Sequence, residues 1–190
     1  MTAGNNTEAS QDFSTYLTLH TTRLSNSTQL AARLDYKEYN VTQASISLSG
    51  RVRGASGAVA GFFTYYNDTT ESDIEMLTRD PSQQMRYSNQ PTTDPLTDED
   101  IGGSTFNRSL THQNVSSWNV HRLDWVTGLS AWYVNGDLAA ETNVNVPGAA
   151  SMIIMNMWSN GGSFSGEMEI GEEAWFDVQW VELMFNTDDF

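Results

Sequence analysis

Cysteine is absent from this sequence of 190 residues, and basic residues are few. Without a thiol the chain can form no disulfide, no thiolate metal site and no cysteine nucleophile. The 9 Lys and Arg residues are outnumbered by 24 Asp and Glu residues, which gives a formal net charge of −15. Such a charge repels nucleic acids, anionic membranes and acidic polymers, so we expect a neutral partner and no binding to nucleic acid or membrane.

Histidines and long apolar runs are also scarce. His20, His112 and His121 form no closely spaced pair, so no catalytic zinc site is predicted, and we expect no cofactor. No apolar run reaches transmembrane length, and the first residues lack the basic start and apolar centre of a signal peptide.

Asparagine occurs in more glycosylation sequons than this composition predicts by chance. N-linked glycans are found on secreted proteins of eukaryotes, so we expect a mature, secreted, extracellular glycoprotein. The Asn-x-Ser/Thr sequons begin at Asn5, Asn26, Asn40, Asn67, Asn107 and Asn114.

Short alternating or β-branched segments, separated by turn signals, run along the whole chain. The clearest turn is Asn135-Gly136, where a two-residue type I′ hairpin requires positive φ at both positions. About ten such strands indicate an all-β sandwich, formed as a single domain over residues 1–190. Residues 1–14 are polar and are predicted to be loose. Residues 89–104 form a predicted long surface loop.

Three acidic residues alternate in the middle of the chain, at Glu71, Asp73 and Glu75. Side chains in a strand alternate between its two faces, so these acids project from one face. Neighbouring carboxylates repel each other, raise each other's pKa values and lower stability. That loss is understandable if the acids carry out chemistry together. A solvated strand face or a calcium site would also use acids in this arrangement.

Hydrolysis of a glycosidic bond is a reaction that needs two such acids. One carboxylate attacks the anomeric carbon, while the other is protonated and donates its proton to the leaving oxygen. A retaining mechanism places the two carboxyl groups about 5 Å apart. The aromatic segment from Ala58 to Tyr66 is predicted to pair antiparallel beside the acidic strand, because consecutive strands with a tight turn usually do so.

Four motifs follow one another along the chain, namely Thr70 to Glu75, His121 to Trp125, Trp132 to Gly136 and Met155 to Trp158. In this order they resemble the family 16 glycoside hydrolases. The resemblance runs from about Leu48 to Phe185 and is strongest to secreted fungal β-glucanases, with similarity to bacterial lichenases. It implies a concanavalin A-like jelly roll of two curved antiparallel sheets, with the substrate cleft on the concave face. Against that family, the N-terminal portion of the chain is short.

The resemblance also implies roles for individual residues. Glu71 would be the nucleophile, Asp73 the acid that shares a proton with it, and Glu75 the general acid and base. No counterpart is found for the residues that hold calcium in some relatives. The residues that match sugar contacts or the cleft lining are Asn156, Trp158, Tyr65, Arg51, Tyr87 and His121.

The favoured function is therefore a monomeric, retaining, endo-acting hydrolase of 1,3- or mixed 1,3-1,4-linked β-glucan. A cell-wall transglycosylase would form the same glycosyl-enzyme and pass it to a sugar hydroxyl rather than to water. A lectin-like glucan-binding module on the same sandwich is the alternative from another class, since a fold does not fix a function. A module that only binds sugar has no need for the clustered acids.

Overall fold

The computed structural model describes residues 2–5, 15–111 and 113–188, and the regular elements in these ranges are all β-strands. These ranges contain no helix, and hence none that is long and apolar enough to cross a membrane. The strands are β1 (Thr2–Asn5), β2 (Thr15–Ser25), β3 (Thr28–Leu30), β4 (Ala32–Asp35), β5 (Val41–Gly54), β6 (Val59–Asn67), β7 (Thr70–Leu77), β8 (Gln84–Asn89), β9 (Thr105–Ser109), β10 (Asn119–Val126), β11 (Leu129–Val134), β12 (Asp137–Thr142), β13 (Met152–Trp158) and β14 (Glu173–Thr187).

The strands form two antiparallel sheets. The larger sheet has the order β1-β2-β14-β5-β10-β11-β12, with β3 paired to β2 beside this path. The smaller sheet has the order β4-β13-β6-β7-β8-β9. Neighbours such as β14 and β5 are far apart in the sequence, so most of the fold depends on long-range pairing.

The core lies between the two sheets and is formed by alternate residues of each strand, as the period of two requires. Burying these apolar side chains is the main source of stability for such a sandwich. Fully buried large side chains of the larger sheet include Ile46, Leu48, Leu123, Trp125 and Trp132, and those of the smaller sheet include Phe62, Ile74, Met76, Met85 and Tyr87.

The hairpin between β11 and β12 has the predicted turn. Asn135 and Gly136 have φ values of 51° and 91°, as a type I′ turn requires. The Asn135 side chain also accepts a hydrogen bond of 2.8 Å from the amide of Val120, which ties the turn to β10.

The N-terminal part differs from the prediction that residues 1–14 are loose. Thr2–Asn5 form β1, which pairs with β2 from Thr2 opposite Thr18 to Asn5 opposite Thr15. Backbone hydrogen bonding to an existing sheet edge orders this segment, although it has few apolar residues. Residues 6–14 lie outside the described residues.

Candidate active site

Strand β7 places the three acids on the outer face of the smaller sheet. Ser72, Ile74 and Met76 are 0% exposed and point into the core. Because side chains alternate, the acids at the intervening positions project from the opposite face. Asp73 is the most enclosed of them, with 3% of its surface exposed. The predicted clustering of the acids on one face is confirmed.

The neighbouring strands leave room for a polar group beside the acids. Strand β6 lies antiparallel to β7, as predicted, with Tyr65 opposite Glu71 and Gly61 opposite Glu75. On the other side of β6, Asn156 of β13 lies opposite Gly61. A Cβ atom at Gly61 would come within 2.6 Å of Asn156 Oδ1. Glycine therefore lets the amide of Asn156 lie over β6, one strand away from Glu75.

Asp73 is the centre of a hydrogen-bond network. Ser88 Oγ donates to Asp73 Oδ2 at 2.8 Å, and Gln90 Nε2 donates to the same oxygen at 3.5 Å. Asp73 also shares a side-chain hydrogen bond with Glu71. Ionised carboxylates only accept hydrogen bonds, so a bond between two carboxyl groups needs a proton on one of them. Glu71 and Asp73 therefore hold one proton between them.

The position of this proton follows from the surroundings of the two acids. Burial raises the pKa of Glu71 to about 10, and the charge of Asp73 and the hydrogen bond to it act in the same direction. Burial also raises the pKa of Asp73, but hydrogen bonds from Glu71, Ser88 and Gln90 favour its ionised form. These influences favour the protonated form of Glu71 and the ionised form of Asp73 in the free protein. A nucleophilic attack by Glu71 requires the proton to move to Asp73.

Glu75 is held in a state suited to proton donation. Burial raises its pKa to about 8, and the negative charge of Asp73 contributes to the rise, whereas the charge of Arg86 lowers it. Glu75 is therefore mostly protonated at neutral pH. A carboxylic acid with a pKa near the working pH is an effective general acid and base.

Three of the residues predicted to contact sugar lie on the same sheet as the acids. Asn156 Oδ1 is a buried atom that accepts no hydrogen bond from any described residue, which is unusual for a buried polar group. The half-buried ring of Trp158 stacks on Phe164, with centroids 6.4 Å apart and planes 13° from parallel. Tyr65 donates a hydrogen bond of 2.7 Å to Asp68, which holds its hydroxyl near the Glu71 end of the face.

The structure places the other three predicted contacts away from the acids, which corrects the expectation that they line a cleft. Arg51 lies on β5 in the larger sheet, where Nε forms an ion pair of 3.1 Å with Asp177. Tyr87 and His121 are 0% and 1% exposed and point into the core between the sheets. None of these side chains is positioned to touch a glucan bound on the outer face of the smaller sheet.

Sequence reasoning missed four residues of this face. Ser88, Gln90 and Arg86 lie on or just after β8, and their alternation with Tyr87 was a usable signal once the register of β8 against β7 was known. Phe164 lies in the loop that follows β13, and nothing in that Gly- and Ser-rich stretch indicates where the ring will point.

A metal centre has no geometric support in the described part of the chain. No group of three or more His, Asp or Glu side chains in residues 2–5, 15–111 and 113–188 is arranged to hold an ion. Glu71 and Asp73 share a hydrogen bond with each other, and Asp73 also accepts one from Ser88 of β8.

The curated relatives found by comparison with known proteins are β-glucanases. No family model matches the sequence. The chain is 27% identical to a β-glucanase of Paenibacillus polymyxa over 139 residues, which make up 69% of this chain and 55% of that protein. The chain thus spans about half the length of the curated relatives it matches. These relatives are bacterial, so the similarity to a fungal branch stays a prediction.

Solved structures share the architecture. A β-1,3-1,4-glucanase (lichenase) from a mouse hindgut metagenome has a TM-score of 0.67 at 18% identity, covering 91% of this chain and 80% of that chain. A family 16 glycoside hydrolase of Bacteroides ovatus, solved with the product G4G4G3G, has a TM-score of 0.69 at 16% identity, covering 93% and 83%. This likeness confirms the predicted fold class, an all-β jelly-roll sandwich of two antiparallel sheets.

Proposed function

We propose that this chain is the catalytic part of a retaining, endo-acting glycoside hydrolase that cleaves β-glucan through a glycosyl-enzyme intermediate. The observation that carries the proposal is the arrangement of Glu71, Asp73 and Glu75 on one strand face, with Asp73 almost fully buried between the two glutamates. Similarity to bacterial β-glucanases supports the substrate class. A module that only binds sugar would gain nothing from carboxyl groups that oppose each other's ionisation.

In the first step, Glu75 donates its proton to the glycosidic oxygen while the bond from that oxygen to the anomeric carbon breaks. The proton shared between Glu71 and Asp73 moves to Asp73, and the ionised carboxylate of Glu71 forms a bond to the anomeric carbon. In the second step, ionised Glu75 removes a proton from water, and the water oxygen displaces Glu71. Two inversions give net retention at the anomeric carbon.

The substrate of the proposal is a neutral 1,3- or mixed 1,3-1,4-linked β-glucan. The net charge of −15 disfavours acidic polysaccharides, and one structural neighbour is a β-1,3-1,4-glucanase. The half-buried side-chain amide of Asn156 would form a hydrogen bond with a sugar hydroxyl. The rings of Trp158 and Tyr65 would contact the apolar faces of sugar rings, as aromatic side chains at ligand sites commonly do.

The proposal includes a secreted, monomeric glycoprotein from the fungal branch, which rests on the sequons and on the sequence motifs. A transglycosylase with the same site and a lectin-like module are the competing functions. A transglycosylase differs from a hydrolase in the acceptor, because it passes the glycosyl group to a sugar hydroxyl rather than to water. A lectin forms no glycosyl-enzyme at all.

Product analysis tests the proposal directly. The protein is incubated with 1,3-linked, 1,4-linked and mixed-linkage glucans, and the first product is followed by proton NMR and mass spectrometry. We expect internal cleavage of the 1,3-containing glucans and a β-configured first product. An α-configured product would overturn the retaining mechanism, products longer than the substrate would indicate transglycosylation, and binding without cleavage would favour the lectin.

A further inference from the structure

Arg86 of β8 lies directly opposite Glu75 in the antiparallel ladder, but its ion pair is with another carboxylate. Arg86 Nε donates to Asp80 Oδ2 at 2.7 Å, and Nη2 donates to Asp80 Oδ1 at 2.9 Å. This two-point contact is a strong arrangement of a guanidinium and a carboxylate. The pair is largely enclosed, with 10% of the Asp80 side chain and 23% of the Arg86 side chain exposed.

Both members of this pair are fixed by further contacts. Asp80 lies in the turn between β7 and β8, where its amide donates to the carbonyl oxygen of Leu77 at 3.1 Å. Gln84 Nε2 donates to Asp80 Oδ2 at 3.3 Å. The guanidinium carbon of Arg86 lies 5.5 Å from the ring of Phe164, within the range of a cation–π contact. The guanidinium is thus held towards the turn rather than beside Glu75.

Few other charges reach Glu75 from the elements around it. On β6 the opposite residue is Gly61, and the loop residues 159–166 carry no charged side chain. On the outer strand β4, the charged residues pair with each other at 2.6 Å. The charged groups that face Glu75 from its own strand, from β8, from the β7–β8 turn and from β4 are Glu71, Asp73, Arg86, Asp80, Arg33 and Asp35.

An Arg86 side chain released from Asp80 would meet Glu75. Directly opposite residues on one face of an antiparallel pair have Cβ atoms about 4.5–5.5 Å apart, well within the reach of an arginine. An ion pair between Arg86 and Glu75 would keep Glu75 ionised, and an ionised carboxylate has no proton to donate.

We propose that Asp80 is a positioning residue that keeps the Arg86 guanidinium off Glu75 and thereby preserves Glu75 as a proton donor. The proposal deepens the function proposed above and rests on it. Arg86 remains close enough to hold down the pKa of Glu75, which burial and Asp73 raise. The Asp80 carboxylate limits that effect by neutralising the guanidinium.

The test compares Asp80→Asn, Arg86→Gln and the double variant with wild type in pH profiles of kcat on a mixed-linkage glucan. Asp80→Asn leaves a free cation beside Glu75, so the alkaline limb should move about 1–2 pH units towards acid, with lower turnover at pH 7. Arg86→Gln should move the limb towards higher pH. The double variant should recover most of the turnover lost in Asp80→Asn.

A matched control removes the acid of a similar pair on the larger sheet. Asp124 and Arg122 form an ion pair of 3.1 Å there, and Asp124→Asn should leave the pH profile unchanged. The proposal is overturned if Asp80→Asn does not move the alkaline limb of the pH profile. It is also overturned if adding Arg86→Gln in the double variant does not restore the lost turnover, and Asp80 is then only a turn residue. If Asp80→Asn does not fold, Asp80→Ser takes its place, and the absence of a shift towards acid in that variant overturns the proposal.

A second readout separates this proposal from the proposed function. The carboxyl carbon of Glu75 is titrated by NMR in each variant with 13C-labelled glutamate, with Glu75→Gln used to assign the signal. The titration midpoint should fall in Asp80→Asn and rise in Arg86→Gln even if no glucan is cleaved. Unchanged midpoints in an active enzyme would refute the positioning role alone. Shifted midpoints in a protein that cleaves no glucan would refute the hydrolase alone.

Discussion

At the scale of single residues, Glu71 and Glu75 are both carboxylic acids with raised pKa values, but different neighbouring groups suit them to different proposed roles. Glu71 shares a hydrogen bond with Asp73, so it can lose its proton to a neighbour when it attacks. Glu75 lies opposite Arg86, whose charge tempers the effect of burial. Residue type alone does not distinguish the two acids, whereas their hydrogen bonds and neighbouring charges do.

Replacing Glu71, the proposed nucleophile, gives the sharpest test of the proposed roles. Glu71→Gln keeps nearly the same volume but cannot form a glycosyl-enzyme, so turnover should fall by several orders of magnitude while glucan binding survives. In Glu71→Ala, azide should restore activity and give an α-linked azide product, because it attacks from the vacated side. In Glu75→Ala, azide should give a β-linked product. If the measured glucan affinity of Glu71→Gln fell together with its turnover, that result would contradict the nucleophile role of Glu71.

Removing the charge of Glu75 should stabilise the protein at neutral and alkaline pH. The pKa of Glu75 is about 8 in the folded protein and 4.5 for an ordinary Glu, so the folded state binds more protons between these values. The contribution of Glu75 to stability is therefore fully present below pH 4.5 and is lost as the pH rises through 8. Each kcal/mol recovered raises Tm by about 2–4 °C in a protein of this size.

The measurement is Tm of wild type and Glu75→Gln at pH 4 and at pH 8. The two proteins should have similar Tm values at pH 4, where Glu75 of wild type is mostly protonated in both the folded and the unfolded state. At pH 8 the Tm of the variant should be several degrees higher. A variant that is less stable than wild type at pH 8 would show that Glu75 is ionised and well solvated in the folded protein.

At the scale of strands, the alternation of side chains predicts the acid face of β7 and the pairing of β6 beside it. The register of β8 depends on the turn at residues 78–83, and a shift of one residue exchanges the two faces of a strand. Tyr87, which the family resemblance implies is part of the cleft lining, lies in the core, while its neighbours Arg86 and Ser88 face the acids.

The close approach of β13 and β6 should make Gly61 intolerant of a side chain. In Gly61→Ala the new Cβ would lie 2.6 Å from Asn156 Oδ1 and 3.3 Å from the ring of Phe63. Displacement of the amide should raise KM for glucan, and overpacking should lower stability by about 1–3 kcal/mol. The control is Gly148→Ala, since no atom lies within 4 Å of that position. Equal KM values in both variants would show that Asn156 does not contact substrate.

At the scale of the whole molecule, the number and spacing of strands and four family-like motifs predict the sandwich, but they do not assign each strand to a sheet. Arg51 lies on β5, whose place in the larger sheet depends on pairing with β14 more than a hundred residues later. The ion pair between Arg51 and Asp177 forms through that pairing. The residue pattern around Arg51 does not indicate which distant strand will pair with β5. The sheet that holds Arg51 and His121 can therefore be found only from the folded structure.

Burial of His121 in the core makes the stability of the whole protein depend on pH in the acidic range. His121 lies on β10 between Leu48 and Val134, and neither imidazole nitrogen has a hydrogen-bond partner among the described residues. Burial lowers the pKa of His121 to about 4, against an ordinary value of 6.5. The unfolded chain therefore binds more protons between pH 4 and 6.5, so stability rises with pH across this window and is lost as the pH falls through it.

His121→Leu should flatten this acid response without affecting catalysis. Leucine fills a similar volume, takes up no proton and leaves no buried polar atom unpaired, so the variant should melt at a higher temperature than wild type at pH 5. The difference between the two unfolding free energies should grow by up to about 1.4 kcal/mol for each pH unit below 6.5. Urea denaturation at pH 7, 6, 5 and 4 measures this slope. Turnover of glucan should be unchanged, because the core separates His121 from the acid face. A loss of turnover with unchanged stability would instead place His121 in contact with the substrate.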